Sequence, residues 1–387
     1  MVKPYDSMQK KKKIIRATTV PTSLETFCEK VLSELNERYE VVALSSPLPE
    51  LKVVEQREGV RTIAVKMERK ISLWADLKAL IKLCGVFRKE RPWMVHSMTP
   101  KAGLLCMMAA WVTRVPKRVH TFTGLVWPTS TGLSRVILKT TDRILCACAT
   151  HVIPEGNGVK NDLINGKITR KPMGILANGN VRGIDLEHYA RTPEVEIEAD
   201  KLRKKDVTTF IFIGRIVRDK GIHELIDAFV KLNEQRPDTR LILVGRSEPQ
   251  LDPLSPRTQE IIDVHKSIEA VGSQKDVRPW LAASDVLVFP SYREGFPNVV
   301  IEAGAMDLPS IVSDINGCNE IIVDGENGII VPSKNAEALY DAMVKMCDDE
   351  QIRTEMAGKA RTMAAERFDC HIVRKALYDF YSSLEVK

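Results

Sequence analysis

The chain predicts an α/β protein of two doubly wound parallel sheets facing a central cleft. Strand and helix patterns alternate through both halves, the rhythm of parallel strands joined by right-handed crossovers. In the second half the strands are unbroken apolar runs, TTFIFIG at 208–214 and RLILVG at 240–245, as expected of strands covered on both faces. The 387 residues also exceed what one hydrophobic core serves, so two domains are expected.

Along the first half, IIRATTV at 14–20 reads as a strand, and Thr22 with Glu25 as a capping box opening a helix that reaches Leu35. YEVVALS follows as a strand, 71–88 as a long helix, WMVHS at 93–97 as a buried strand, 101–113 as a helix and RVHTFTG at 118–124 as a strand. In the second half VLVFP, SIVSD and GIIVP add strands, and helices fit 222–233, 255–269, 297–306 and 336–347. The charged stretch 192–205 holds little apolar material and reads as linker. The expected division is therefore 1–190, a linker at 191–206 and 207–367, with 368–387 crossing back as a terminal helix.

Composition narrows the function classes. Apolar residues at 44% and charged residues at 28% are ordinary for a globular protein, and the longest apolar candidate, 102–112, is too short to span a bilayer. The first residues carry charge without the apolar core of a secretory signal, so a cytoplasmic protein is expected. Eight scattered cysteines lack zinc-site spacing, Cys146 and Cys148 being the one close pair; they read as reduced, buried thiols. A net charge of +6 favours anionic partners, yet the basic residues are spread and no nucleic-acid motif accompanies them, so nucleic acid is not an expected partner. The lysine run at 10–13 reads either as a solvated tail or as an attraction to anionic lipid.

Two stretches carry the chemistry: GRIVRDKG at 214–221 and REGFPNVVIEAGAMDLP at 293–309. Ligands of doubly wound sheets sit beyond the carboxyl ends of the strands. Gly214 ends such a strand, so Arg215, Lys220 and Gly221 would lie at that edge. A planar guanidinium and a mobile ammonium together suit a diphosphate, although a surface turn with ordinary charges would read the same from this stretch alone. In the second stretch Pro297 is placed as first residue of a helix, whose free N–H groups and dipole attract phosphate. Glu302 lies five residues on, about 7.5 Å along the axis, a fit to the offset from diphosphate to ribose; Glu294, on the loop side, could address a sugar. The alternative is a loop carboxylate and a helix-start carboxylate favoured only by the dipole. That reading weakens for Glu302, because the small residues AGAM after it should pack closely, and a carboxylate there wants a partner.

On EGFPNVVIE, which carries an E-x7-E pattern, GRIVRDKG and DINGCNEIIVDGENGIIVP, the chain resembles the family-four retaining glycosyltransferases of the GT-B fold, over nearly its whole length. The resemblance implies two Rossmann-like domains, the first for acceptor and the second for donor. It implies that Arg215 and Lys220 beside Gly214 hold the donor diphosphate, Glu302 the ribose and Glu294 the sugar. The backbone of Gly295, Phe296, Pro297, Asn298 and Val299 would assist, and Glu294, Arg215 and Lys220 would be the catalytic set. The implied donor is a UDP-sugar carrying a hexose or N-acetylhexosamine. TTVPTSLETF, VHSMTPKAGLL, TFTGLVW and ANGNVRGIDLEHY are similar to the branch that builds bacterial capsule, O-antigen and lipid-linked glycan. Its acceptors are growing glycans or polyprenyl-diphosphate-linked sugars, met at the cytoplasmic face of the inner membrane.

The chain departs from the family where Val20-Pro21-Thr22-Ser23 replaces a Gly-Gly turn and Thr123-Gly124 a His-Gly pair. Acceptor-side candidates are therefore Lys101, His120 and Thr123, with His96 and His120 equally readable as structural histidines. No Asp-x-Asp motif occurs, the pair Asp348-Asp349 ending a helix, so no metal or other cofactor is expected. The competing readings are an epimerase-like enzyme on the same fold and a nucleotide-binding scaffold held at a membrane by the basic helix 71–88.

Overall fold

A computed structural model describes residues 11–69, 72–248, 250 and 252–386. The chain forms two compact units. One runs to Glu155 and adds Val159–Leu176 and the residues from Arg374; the other holds Gly156–Gly158 and Ala177–Val373.

The first unit is built on a six-stranded parallel sheet: β1 Lys13–Ala17, β2 Glu40–Ser45, β3 Arg61–Ala64, β4 Met94–Met98, β5 Lys117–Phe122 and β6 His151–Pro154. Its order is β3-β2-β1-β4-β5-β6. The second sheet has β7 Thr208–Ile213, β8 Thr239–Val244, β9 Ile268–Gly272, β10 Val286–Phe289, β11 Ser310–Ser313 and β12 Gly328–Val331, in the order β12-β11-β10-β7-β8-β9. Both are the doubly wound order, reversing direction between the first and fourth strands, and every pairing is parallel. The strand order reverses between β1 and β4 in one sheet and between β7 and β10 in the other, so each has one crevice suited to a ligand.

The central strands are apolar because helices cover both faces. Phe210, Ile211 and Phe212 of β7 and Leu241, Ile242 and Leu243 of β8 are fully buried. Edge strands lack that pattern: β3 and β9 keep exposed and half-buried positions.

Several expectations change. The helix expected to open at Thr22 is two helices, Pro21–Phe27 and Val31–Arg38. Val20 caps the first with no side-chain bond, and Lys30 precedes the second with a left-handed φ of 59°; the Thr22 carbonyl instead takes the Thr26 hydroxyl. The helix expected over 255–269 stops at Val264, and β9 follows. The stretch read as linker holds the helix Pro193–Asp200, capped by Thr192, with Val195 and Ala199 buried in the second unit's core. The terminal helix is Cys370–Glu385, and Tyr381 on it is fully enclosed. Lys13 opens β1 and pairs with Glu40 and Glu90, so it is no part of a solvated tail; Lys10 and Ile71 lie outside the described residues. No described helix is long and apolar enough to cross a membrane, and none of the eight cysteines forms a disulfide.

Candidate active site

The two stretches meet where the second sheet reverses its strand order: 214–221 follows β7 and 290–297 follows β10. Gly221 makes the approach possible. Its φ is +72°, and a Cβ on it would stand 2.1 Å from the Pro290 carbonyl oxygen, so only glycine lets the β7 loop press on the β10 loop. Asp219 then joins them: its carbonyl accepts from the Tyr292 N–H at 2.9 Å, and its carboxylate lies 3.4 Å from the Arg293 guanidinium.

This contact brings Lys220 to Glu294. The Lys220 ammonium bonds Glu294 Oε1, which also accepts from the Ser291 hydroxyl at 2.7 Å. Both charged side chains keep only 14% and 16% of their surface exposed, and the ammonium stands 5.4 Å from the centre of the Phe289 ring. Arg215 differs: it is 45% exposed and bonds Glu248 at 3.1 Å, so its guanidinium sits at the surface.

Beyond Glu294 the chain enters the helix Asn298–Ala305. Pro297 is its cap rather than its first residue and offers no side-chain acceptor, an opening that suits an anion. Gly295 and Phe296 are held from outside the loop. A Cβ on Gly317, φ +77°, would meet the Gly295 carbonyl oxygen at 2.5 Å, and the buried Phe296 ring meets Phe368 edge-on at 5.5 Å.

Glu302 has the partner its packing requires, Arg182, with both side chains mostly buried. Asn180 sets that arginine. Its left-handed backbone, φ 67°, lets its own Oδ1 accept from the N–H groups of Arg182 at 3.0 Å and Gly183 at 2.8 Å, while its amide donates to Asn298 Oδ1 at 2.8 Å. Burial, and then the charge of Glu302, raise the Tyr189 hydroxyl above its ordinary pKa. The NGNVRG stretch thus belongs to this second unit, not to the first-half pattern in which it was read. Arg182, Asn180 and Ser291 are the site residues that sequence reasoning missed. One signal pointed to Arg182: a carboxylate on a small-residue helix needs a cation.

The acceptor-side candidates lie in the first unit. Lys101, at the start of the helix Pro100–Val112, holds both carboxylate oxygens of Asp76 at 2.8 and 2.6 Å. His120 is enclosed: its Nδ1 is 2.9 Å from the Ser97 hydroxyl, and a Cβ on Gly103 would come within 2.4 Å of its ring. Burial pushes its pKa down to about 3, the state of a satisfied neutral core histidine. Thr123 follows β5, half-buried. His96 bonds Arg16, Tyr381 and Thr121 inside the core. Asp348 pairs with Arg236 and Asp349 caps the helix Glu350–Phe368, so that acidic pair is structural.

Two doubly wound parallel sheets, the second with cation, carboxylates and an open helix start at its strand reversal, define a GT-B-fold protein. The model described as "Glycosyl transferases group 1" matches residues 194–363, and that of the "Glycosyl transferase 4-like domain" matches 24–179. A UDP-Gal:alpha-D-GlcNAc-diphosphoundecaprenol alpha-1,3-galactosyltransferase of Escherichia coli is 30% identical over 287 residues, 73% of each chain. The capsular polysaccharide biosynthesis glycosyltransferase CapM of Staphylococcus aureus is 29% identical over 381 residues, 97% of this chain and 98% of its own. The Anabaena Alr3699/HepE structure in complex with UDP-glucose superposes with a TM-score of 0.80 at 18% identity, over 96% of this chain and 99% of that one. The chain belongs to the glycosyltransferases that these group 1 and 4-like models describe.

Proposed function

We propose that the protein is a retaining glycosyltransferase that moves a hexose or N-acetylhexosamine from a UDP-sugar to a polyprenyl-diphosphate-linked or growing glycan, in cell-surface polysaccharide synthesis such as capsule formation. It works without a metal, at the cytoplasmic face of the membrane. The first unit takes the acceptor and the second the donor. The UDP-galactose and diphosphoundecaprenol in the name of the Escherichia coli relative, and the UDP-glucose in the Anabaena complex, support donor and acceptor class. The observation that carries the reading is the placement of Lys220 and Glu294 against each other at the strand reversal, beside the start of the helix bearing Glu302.

The donor's bond from anomeric carbon to phosphate oxygen breaks, and UDP leaves with the electron pair. Lys220, Arg215 and the first N–H groups of the helix Asn298–Ala305 stabilise the growing diphosphate charge by fixed, preorganised electrostatics. Glu302 takes the ribose hydroxyls, and Glu294 orients the sugar. The acceptor hydroxyl attacks the face the phosphate leaves, passing its proton to the departing phosphate oxygen, so configuration is retained. UDP release from a panel of UDP-sugars, with and without glycan-lipid acceptor, tests this. Acceptor-dependent release that fails in Lys220→Ala and Glu302→Gln is expected, and undiminished turnover in those variants sinks the assignment.

A further inference from the structure

Three neighbouring helices of the first unit leave a surface that no part of the described chain covers. The helix Pro100–Val112 packs between Leu73–Glu90 and Gly132–Cys148. On Leu73–Glu90 the exposed positions are apolar at Leu73, Trp74, Leu77 and Ile81, basic at Lys78, Lys82, Arg88 and Lys89, and otherwise Gly85. Leu73 and Trp74 are 82% and 78% exposed. The helix's two acidic residues are withdrawn, Asp76 onto Lys101 and Glu90 onto Lys13 and Arg61. Gly132–Cys148 repeats the pattern with Leu133, Val136 and Ile137 exposed beside Arg135 and Arg143, and its one acidic residue, Asp142, is buried.

Six of the exposed apolar residues stand in the first two turns of the outer helices, while Ile81 and Ile144 stand further along them and Trp111 and Val112 end the middle helix. The topology sets the opening turns at the carboxyl edge of the sheet: Lys101 follows β4 directly and reaches Asp76 in the first turn of Leu73–Glu90, while Gly132–Cys148 starts after the loop that leaves β5. Most of the basic residues stand further along both helices. Apolar tips with a cationic flank and no exposed acid match the interfacial zone of an anionic bilayer. A protein partner of ordinary surface would not require every exposed charge to have one sign.

We propose that this three-helix face docks on an anionic membrane, with Leu73, Trp74, Leu77, Leu133, Val136 and Ile137 inserted among the acyl chains and the lysines and arginines on lipid phosphates. Docked in this way, the carboxyl edges of β4 and β5 meet the plane where a lipid-linked diphosphate presents its sugar. The inference rests on the glycosyl-transfer reading for its purpose, while the docking itself stands on the surface alone.

The test is flotation of the full chain with vesicles of phosphatidylcholine and of an equal mixture with phosphatidylglycerol, together with Trp74→Ser/Leu77→Ser and Lys78→Glu/Lys82→Glu. All four positions are exposed, so the variants should fold, which thermal unfolding verifies. Expected is binding of the wild type to the anionic vesicles, at least tenfold above the zwitterionic ones and lost at high salt, with at least a tenfold loss in each variant. Absent flotation of the wild type, or equal flotation of the variants, overturns the proposal. So does light scattering that gives two chains per particle for the wild type and one for the apolar variant, because a second copy would then cover the face. Transfer to a water-soluble acceptor, measured in parallel, separates the two readings: the docking variants should retain it, and its absence in the wild type counts against glycosyl transfer without touching the flotation result.

Discussion

The Arg182 guanidinium holds the Glu302 carboxylate across 120 positions of sequence, fixing the orientation of the one acidic group on the helix Asn298–Ala305. Both side chains are largely withdrawn from water, so removing either one leaves the other as a mostly buried group without its ion-pair partner. Removing one partner of such a pair costs far more than the pair is worth against an apolar replacement. Arg182→Ala should lower stability by about 2–3 kcal/mol and weaken UDP binding, and Arg182→Ala/Glu302→Gln should recover part of the stability while leaving UDP binding weak. A double-mutant cycle in urea, with UDP affinity by calorimetry, measures both.

Lys220 and Arg215 should not be equivalent. Lys220 is enclosed on Glu294, whereas Arg215 is half in solvent on Glu248. Lys220→Ala should lower kcat by about 10²–10³-fold, the usual cost of one preorganised donor to a developing anion. Arg215→Ala should cost less, with the larger share in donor KM. Steady-state kinetics on the UDP-sugar that turns over separates the two, and equal losses would contradict the geometry.

Gly221 and Gly325 share a left-handed backbone, φ 72° and 78°, but Gly325 has open space where a Cβ would stand. Gly325→Ala should therefore cost only about 1 kcal/mol, the backbone penalty. Gly221→Ala adds the collision with Pro290 and should cost more than about 2 kcal/mol, with a loss of donor binding because Lys220 shifts. Urea midpoints compare them directly.

Acid should weaken the first unit. Burial lowers the pKa of both His96 and His120 from 6.5, so the unfolded chain takes up protons below about pH 6.5 that the folded one refuses, and stability falls as pH falls. Asp142 acts in the opposite sense: burial lifts it from 3.8 to about 7, so its contribution is full below 3.8 and lost as pH rises through 7. Each histidine contributes up to about 1.4 kcal/mol per pH unit. His120→Gln should flatten the decline in urea stability between pH 6.5 and 4, and Asp142→Asn should steepen it.

The central strands could be read from sequence because both of their faces are buried, as in β7 and β8. Of the strands that went unread, β3 and β9 are sheet edges with partial cover, and both mix buried with exposed positions, which breaks the apolar run. The other two edges differ: β12 was legible from its apolar run GIIV, while β6, His151–Pro154, is mostly buried but only four residues long. At the site, the loops carrying Lys220 and Glu294 and the helix carrying Glu302 were legible as local motifs. Arg182 was not, because its role depends on a left-handed Asn180 and on a helix more than a hundred residues away. Lys101 shows the converse: a cation at a helix start suggested a ligand, and Asp76 occupies it.

Arg16 lies on β1, 2% exposed, with its guanidinium on the Tyr381 hydroxyl, the His96 ring and the sulfurs of Cys28 and Met98. Tyr381 closes that chamber from the far end of the chain. Residue 381 is made after every strand of both sheets, so the Arg16 guanidinium can gain its phenol only once the second unit has been synthesised. A chain halted before residue 381 would lack the group that closes the middle of the first sheet, the kind of incomplete core that exposes a chain to misfolding.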